Sequence, residues 1–238
     1  MQTGLYQSAS SLSALSQVQD TLAFNLAQSS TVAYKRRALT MGTFAQQLNM
    51  AGAQVSLPQP IERIDYSQGT LMPTGNVLDL AIQNPIDGKS SGFFKLNTPN
   101  GPRYTRGGTF SITTDGSLVN MNGDKLAMNG PIPDINAPIT IDENGNISQN
   151  GRATGIKITL VDFPDLQRVV PEGAFRYSAD PASERASLAA IRSGYLERSN
   201  ADPVDQLVQL ITIHRSFESS TRAMRTLDEA LQRTTTRT

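Results

Sequence analysis

Asp202-Pro203-Val204-Asp205-Gln206-Leu207-Val208-Gln209-Leu210-Ile211 decides how the rest of the chain is read. Asp202 can cap a helix, Pro203 fits the first helical position, and Asp205 puts a negative charge in the first turn. Val204, Leu207, Val208, Ile211, Phe217, Met224, Leu227 and Leu231 then recur at roughly helical spacing. A helix over 203–234 would run about 48 Å at 1.5 Å per residue, too long to stand alone on a surface. It needs a partner, and the simplest one lies at the other end of the chain. Thr234-Thr235-Thr236-Arg237-Thr238 reads as a frayed tail.

No proline precedes Pro58, and a second apolar stripe runs through this region. Leu5, Ser8, Leu12, Leu15, Gln19, Leu22 and Leu26 follow alternating three- and four-residue steps, the heptad spacing of a helix with one seam. Ala9, Ala14 and Ala23 allow close approach by a neighbour. The remaining surface is mostly Ser and Gln, and Asp20 is the only charged side chain before Lys35. An ordinary surface helix carries charges on its outer face. Two readings stand: a weakly amphipathic helix packed on its own domain, or a helix buried on several sides by other chains.

Between these ends the chain changes character. All 13 prolines lie between Pro58 and Pro203, and most of the 18 glycines fall between Gly69 and Gly155. Both residues break helices. Asp87-Gly88, Asn100-Gly101, Asp115-Gly116, Asn122-Gly123, Asn129-Gly130, Asn144-Gly145 and Asn150-Gly151 supply the positive φ that tight hairpins require. Short alternating runs lie among them: Phe110 and Ile112; Ile139 and Ile141; Ile156, Ile158 and Leu160. A compact sandwich or irregular barrel of short strands fits best.

The expected fold class is therefore α+β, with terminal helices paired as a coiled-coil stem and a central, mostly antiparallel β domain. Residues 1–40 and 195–238 make the discontinuous helical assembly domain. Residues 41–68 form a connecting arm, 69–164 the central β domain, and 165–194 an irregular return segment.

Composition narrows the function. At roughly 150 residues per domain, 238 residues make one or two domains. Lys+Arg is 21 and Asp+Glu is 21, a formal net charge of +0, which argues against a nucleic-acid partner. Cys is 0 and His is 1, so a disulfide, a thiolate nucleophile, a zinc–sulfur site and a His-rich metal cluster are excluded. No stretch approaches the roughly 20 apolar residues that span a bilayer, so direct membrane insertion is not expected. The N-terminus lacks the basic start of a cleaved leader.

Candidate chemistry is thin. Asp87-Gly88-Lys89-Ser90 is like the end of a phosphate-binding loop, but the earlier glycine is replaced by Gln83 and a strand, not a helix, follows. Asp142, Asn144 and Asn146 are like the first ligands of a calcium loop, but Ala153 stands where a bidentate Glu is needed. Asn146-Ile147-Ser148 matches a glycosylation sequon. His214 lies mid-helix with no nucleophile elbow near Ser216, and a packing or solvent-facing role fits it better. Lys35-Arg36-Arg37 reads as a solvated helix end. No acid/base pair stands out, so neither an enzyme nor a cofactor is expected.

Three stretches together carry a resemblance. Ala23-Phe24-Asn25-Leu26-Ala27-Gln28-Ser29-Ser30-Thr31-Val32-Ala33-Tyr34-Lys35-Arg36 resembles the N-terminal signature of the flagellar rod and hook family, an Asn-Leu-Ala-Asn core followed by Asn-Thr and Gly-Phe-Lys. The stretch from Gly69-Thr70-Leu71-Met72-Pro73-Thr74-Gly75-Asn76, through Gly92-Phe93-Phe94, to Tyr104-Thr105-Arg106-Gly107-Gly108-Thr109-Phe110 resembles the central rod-protein motif. Gly194-Tyr195-Leu196-Glu197-Arg198-Ser199-Asn200-Ala201-Asp202, with His214-Arg215-Ser216-Phe217-Glu218, is similar to the C-terminal elements. Length and central motif are closer to the proximal and distal rod types than to the longer hook protein. Gln28, Ala33-Tyr34 and Ala201 depart from the pattern, and residues 84–91 look like an insertion.

The resemblance implies a structural subunit of the basal-body rod, polymerising helically through its terminal helices into the torque-transmitting shaft that crosses the periplasm. Its partners would be copies of itself, other rod and hook subunits, and the flagellar type III export apparatus. Leu12, Leu15, Leu22 and Leu26 are expected to meet Leu207, Ile211, Phe217 and Met224 in the stem. Asn25, Thr31, Ser199 and Asn200 are the expected polar determinants near the helix ends. A stalked β-domain binding module or adhesin is the rival reading.

Overall fold

The computed structural model describes residues 2–41, 60–85, 91–173 and 175–235. The chain divides into two compact units, residues 1–29, 36–65 and 201–238 in one, and 30–35 and 66–200 in the other.

The first unit holds α1 (Gln2–Ala27), the antiparallel pair β1 (Arg37–Met41) and β2 (Pro60–Ile64), and α2 (Pro203–Thr235). Asp202 caps α2 as its sequence implies: one carboxylate oxygen accepts from the amides of Val204 at 2.8 Å and Asp205 at 3.1 Å. The hydroxyls of Thr21, Thr212, Ser216 and Thr221 each bond the carbonyl four residues back. Helix surfaces rich in Ser and Thr thus settle their polar groups locally. Asn25 and Gln206 meet near one end of the pair and Gln19 and His214 further along, so α1 and α2 run antiparallel.

The second unit is built from short strands in chain order. They are β3 (Leu71–Pro73), β4 (Leu80–Gln83), β5 (Phe93–Thr98), β6 (Gly101–Thr105), β7 (Ser111–Ile112), β8 (Leu118–Val119), β9 (Lys125–Leu126) and β10 (Ile139–Ile141). There follow β11 (Asn146–Gln149), β12 (Arg152–Lys157), β13 (Leu160–Asp162), β14 (Val170–Pro171), β15 (Tyr177–Ser178), β16 (Arg185–Ala186), β17 (Ala190–Ser193) and β18 (Tyr195–Glu197). The largest sheet runs β14-β15-β6-β5-β9-β8-β7, with β13 also on β5 and β16 on β13. A β10-β11-β12 meander and the pairs β17-β4 and β18-β3 complete the unit, and every pairing in it is antiparallel.

Turn chemistry sets much of this order. Asn100-Gly101, Asp115-Gly116, Asn122-Gly123, Asn144-Gly145 and Asn150-Gly151 each join antiparallel neighbours, with positive φ at all five glycines. At Gly116 the restriction is double: φ is +76°, and a Cβ would lie 2.3 Å from the Ile132 carbonyl oxygen.

Strand β5 is buried on both faces. Phe94 and Leu96 enter an aliphatic core with Leu80, Ile82, Leu118, Ile147 and Ile158. Phe93 points the other way, where Tyr66, Phe163 and Tyr177 surround it at ring-centroid distances of 5.8–5.9 Å.

Three expectations need correction. Residues 195–197 are strand β18, and helix begins only at Pro203, because Asp202-Pro203 is the start signal and Leu196 pairs with Met72. Ile156, Ile158 and Leu160 do not share one strand; β12 ends at Lys157 and β13 starts at Leu160. Residues 165–194 hold regular pieces. Asp165 and Asp180 cap short 3-10 turns at Leu166–Arg168 and Pro181–Ser183, and β14 to β17 pair with sheet neighbours.

Candidate functional site: the helix seam and a buried charge cluster

In the first unit the polar centre is Asn25, only 1% exposed. Its amide donates to the Arg37 carbonyl at 2.8 Å, and its oxygen accepts the Arg37 N–H at 2.9 Å, as a neighbouring strand would. It also donates to Gln206 Oε1 at 3.1 Å across the seam, and Gln206 is 2% exposed. Buried amides that are fully bonded fix register without leaving an orphaned group. Arg37 stacks over Phe24 at 4.4 Å and pairs with Glu62 at 3.2 Å. Arg36 pairs with Asp65 at 2.9 Å. A cleft of about 200 Å³ opens here, lined by Val18, Leu22, Leu39, Arg36, Arg37 and Gln206 among others.

The expected seam residues divide. Leu22 is buried, and Leu12, Leu15, Leu26, Phe217 and Met224 are partly buried. Leu207 and Ile211 do not face α1; each is 47% exposed. The protected stripe of α2 is Gln206, Leu210, Ile213, Phe217, Thr221 and Met224. Reading hydropathy alone misses this face, because its first member is a glutamine that Asn25 holds inside. The side chains of Leu5, Leu227 and Leu231 lie outside the described residues, as does Asp87-Gly88-Lys89-Ser90.

In the second unit the three resembling stretches converge on Glu197, 1% exposed. Its Oε1 accepts from Lys35 Nζ at 2.7 Å and from the Gly69 amide at 2.8 Å. Lys35 Nζ also donates to the Ser67 carbonyl at 2.7 Å. The Arg106 Nε stands 3.9 Å from Glu197 Oε2, and its two terminal nitrogens donate to Asn84 Oδ1 at 3.0 and 3.1 Å. Burial draws the Arg106 guanidinium below its usual value, while Glu197, Tyr177 and Asp162 pull it back up. Gly69 belongs here for space: a Cβ would lie 2.0 Å from the Arg198 carbonyl oxygen. The Ala33 amide donates to the Glu197 carbonyl at 2.7 Å, with Ala33 at φ +56°.

Asn200 extends this junction. Its amide N–H bonds the Tyr34 carbonyl at 3.3 Å, and its side chain reaches the Ser67 carbonyl and hydroxyl at 3.1 and 3.0 Å. The Thr31 carbonyl accepts from Tyr34 at 3.4 Å, and Ser199 is partly buried beside Asn200.

The basic cluster at 35–37 is therefore not a solvated helix end. α1 stops at Ala27, and each of the three cations has a carboxylate partner. Sequence reasoning missed Lys35, Arg106, Glu197 and Gln206 as structural determinants; their partners lie far away in the chain.

The other candidates are structural too. Asp142 turns its carboxylate onto the amides of Asn144 and Asn146 at 2.9 and 2.8 Å. His214 Nδ1 lies 3.1 Å from Gln19 Nε2, and its Nε2 lies 3.4 Å from Glu218 Oε1. The Ser216 hydroxyl is spent on the Thr212 carbonyl at 3.0 Å. Among the described residues no group of three or more His, Asp or Glu could hold a metal, and no helix is long and apolar enough to cross a membrane.

Residues 192–237 match the family described as "Flagellar basal body rod FlgEFG protein C-terminal", and residues 86–149 match "Flagellar hook protein FlgE/F/G D1 domain". The flagellar basal-body rod protein FlgF of Rhizobium meliloti is 33% identical over 98% of both chains. The chain belongs to the flagellar basal-body rod protein family. Rod protein FlgG of Bacillus subtilis is 30% identical over 98% of this chain and 97% of its own. FlgF of Caulobacter vibrioides is 30% identical over 94% and 93%. Rod proteins of both names thus match at similar identity along nearly their whole length. Asn25, Lys35, Gly69, Arg106 and Glu197 hold backbone and side-chain groups of their own units in place.

Proposed function

We propose that this chain is a structural subunit of the bacterial flagellar basal-body rod and polymerises helically through its terminal helices into the torque-transmitting shaft. Its place is the periplasmic rod. Its partners are copies of itself and other rod and hook subunits, and it leaves the cell body through the flagellar type III apparatus. The first unit is the assembly domain, with α1 and α2 working as a coiled-coil stem in the polymer. The supporting observation is the surface of α1. Between Leu12 and Ala27 its exposed positions are mostly Ser, Gln, Ala and Phe24, with Asp20 the single charge. Such a helix can be enclosed by neighbours without stranding ions in a dry interface.

Head-to-tail contacts that do not close into a ring build a helical filament. Many weak contacts per subunit then add up to a stiff shaft. Mass spectrometry of purified basal bodies, with a deletion strain as control, tests the role. The chain is expected as a stable component, with rods shortened or missing in the deletion. Intact, motile flagella lacking the chain would remove the assignment.

A further inference from the structure

Asn-Gly pairs do more than turn the chain. The glycine nitrogen can reach back to the asparagine Cγ, because no glycine side chain stands in the way. Two parts must move for that. The peptide plane between the two residues has to rotate, and the side-chain amide has to swing toward it. A hydrogen bond on either part slows the step by roughly two- to tenfold.

Of the five Asn-Gly pairs in the β unit, the fold restrains four. The Gly123 N–H donates to the Asn120 carbonyl at 3.0 Å, and the Gly145 N–H to the Asp142 carbonyl at 3.0 Å. Gly145 is also buried, and its carbonyl accepts from the Ile158 N–H at 2.9 Å. Gly101 pairs with Thr98 in the β5–β6 ladder, and the Asn100 carbonyl accepts from Arg103 at 3.3 Å. Asn129 is clamped by its side chain: Nδ2 donates to the Gly155 carbonyl at 2.9 Å, and Oδ1 accepts from the Lys157 N–H at 2.6 Å.

Asn150 escapes both restraints. With Gly151 it forms the two-residue turn between β11 and β12, closed by Gln149 opposite Arg152, at φ of +50° and +74°. Among the described residues, the Asn150 side chain, the Asn150 carbonyl and the Gly151 N–H make no hydrogen bond. Both residues are exposed, and nothing lies within 4 Å of where a Gly151 Cβ would sit.

We infer that Asn150 is a site of spontaneous covalent modification, deamidating through a succinimide ahead of the other Asn-Gly pairs. Hydroxide takes the Gly151 amide proton, and the nitrogen attacks the Asn150 Cγ. The new C–N bond forms as the Cγ–Nδ2 bond breaks, and Nδ2 leaves as ammonia after taking a proton from water. Water then opens the ring. Attack at the side-chain carbonyl leaves aspartate, and attack at the main-chain carbonyl leaves isoaspartate. Either product adds a negative charge, and isoaspartate also adds one carbon to the main chain of the turn. This chemistry does not depend on the rod reading.

The purified full-length chain would be incubated in mildly alkaline buffer, folded or in urea, and digested with trypsin. The peptide ending at Arg152 carries Asn129, Asn144 and Asn150 together, and fragment masses tell them apart. In the folded chain Asn150 should convert at least about tenfold faster than Asn129 and Asn144, and about threefold faster than Asn100 and Asn122, with isoaspartate among the products. In urea the five should react at similar rates. No lead for Asn150 in the folded chain would overturn the site. An equal lead in urea would show that local sequence and not the fold selects it, which overturns the inference as well. Aspartate with no isoaspartate would overturn the succinimide route.

Discussion

The Lys35 ammonium lies 2.7 Å from the Glu197 carboxylate, with side-chain exposures of 1% and 0%. The two residues are far apart in the chain and come from different stretches of the family pattern. Their pairing ties residues 30–35 to the β18 strand inside one unit. A buried pair adds little net stability, but breaking one member strands a charge, which costs about 3–5 kcal/mol.

Lys35→Met should therefore destabilise the protein by about 3 kcal/mol. Glu197→Gln added to that variant should cost much less than Glu197→Gln alone. Urea unfolding of the four proteins of this cycle measures the coupling. Simple additivity would show that the pair does not act as a unit.

Asn25→Ala should cost at least about 2 kcal/mol, because it orphans the Arg37 backbone groups and the Gln206 amide together. The loss should appear as weaker amide-exchange protection in both helices. A loss confined to α1 would contradict a seam pinned through Gln206.

Ala33 occupies φ +56°, a left-handed conformation that favours glycine. Ala33→Gly relieves roughly 1–2 kcal/mol of left-handed strain. It gives up a buried methyl worth about 0.8 kcal/mol and about 0.5–1 kcal/mol of backbone freedom. The net change in stability should stay within about 1 kcal/mol. Ala33→Val, which is β-branched, should cost well over 2 kcal/mol. Thermal melts of the two variants separate them, and equal melting temperatures would refute the strain account.

Stability should fall above pH 10. Burial pushes the hydroxyls of Tyr66 and Tyr104 well above the usual tyrosine value, helped by Tyr177 in the first case and Glu184 in the second. Below about pH 10 both are protonated, folded or unfolded. Above it only the unfolded chain releases these protons, so each tyrosine removes about 1.4 kcal/mol of stability per pH unit. Absorbance at 295 nm should show two of the 6 tyrosines ionising only as the chain unfolds. A single early phase for all of them would be the contrary result.

Local rules account for what the sequence determined by itself. The α2 start follows from Asp202-Pro203, the heptad steps of α1 from leucine spacing, and five hairpins from Asn-Gly and Asp-Gly pairs whose φ requirements involve only neighbours. These terms act within a few residues, so they are legible along the chain. Which face of α2 turns inward was decided elsewhere. Val204, Leu207, Val208 and Ile211 make the more apolar stripe, yet Gln206 goes inside because Asn25 supplies its partner from α1. Lys35, Gly69, Arg106 and Glu197 gain their meaning in the same way. Each is unremarkable in its own segment, and a buried charge is tolerable only where its counter-charge arrives from another. Long-range hydrogen bonds and ion pairs set those choices, and only the folded chain brings their two halves together.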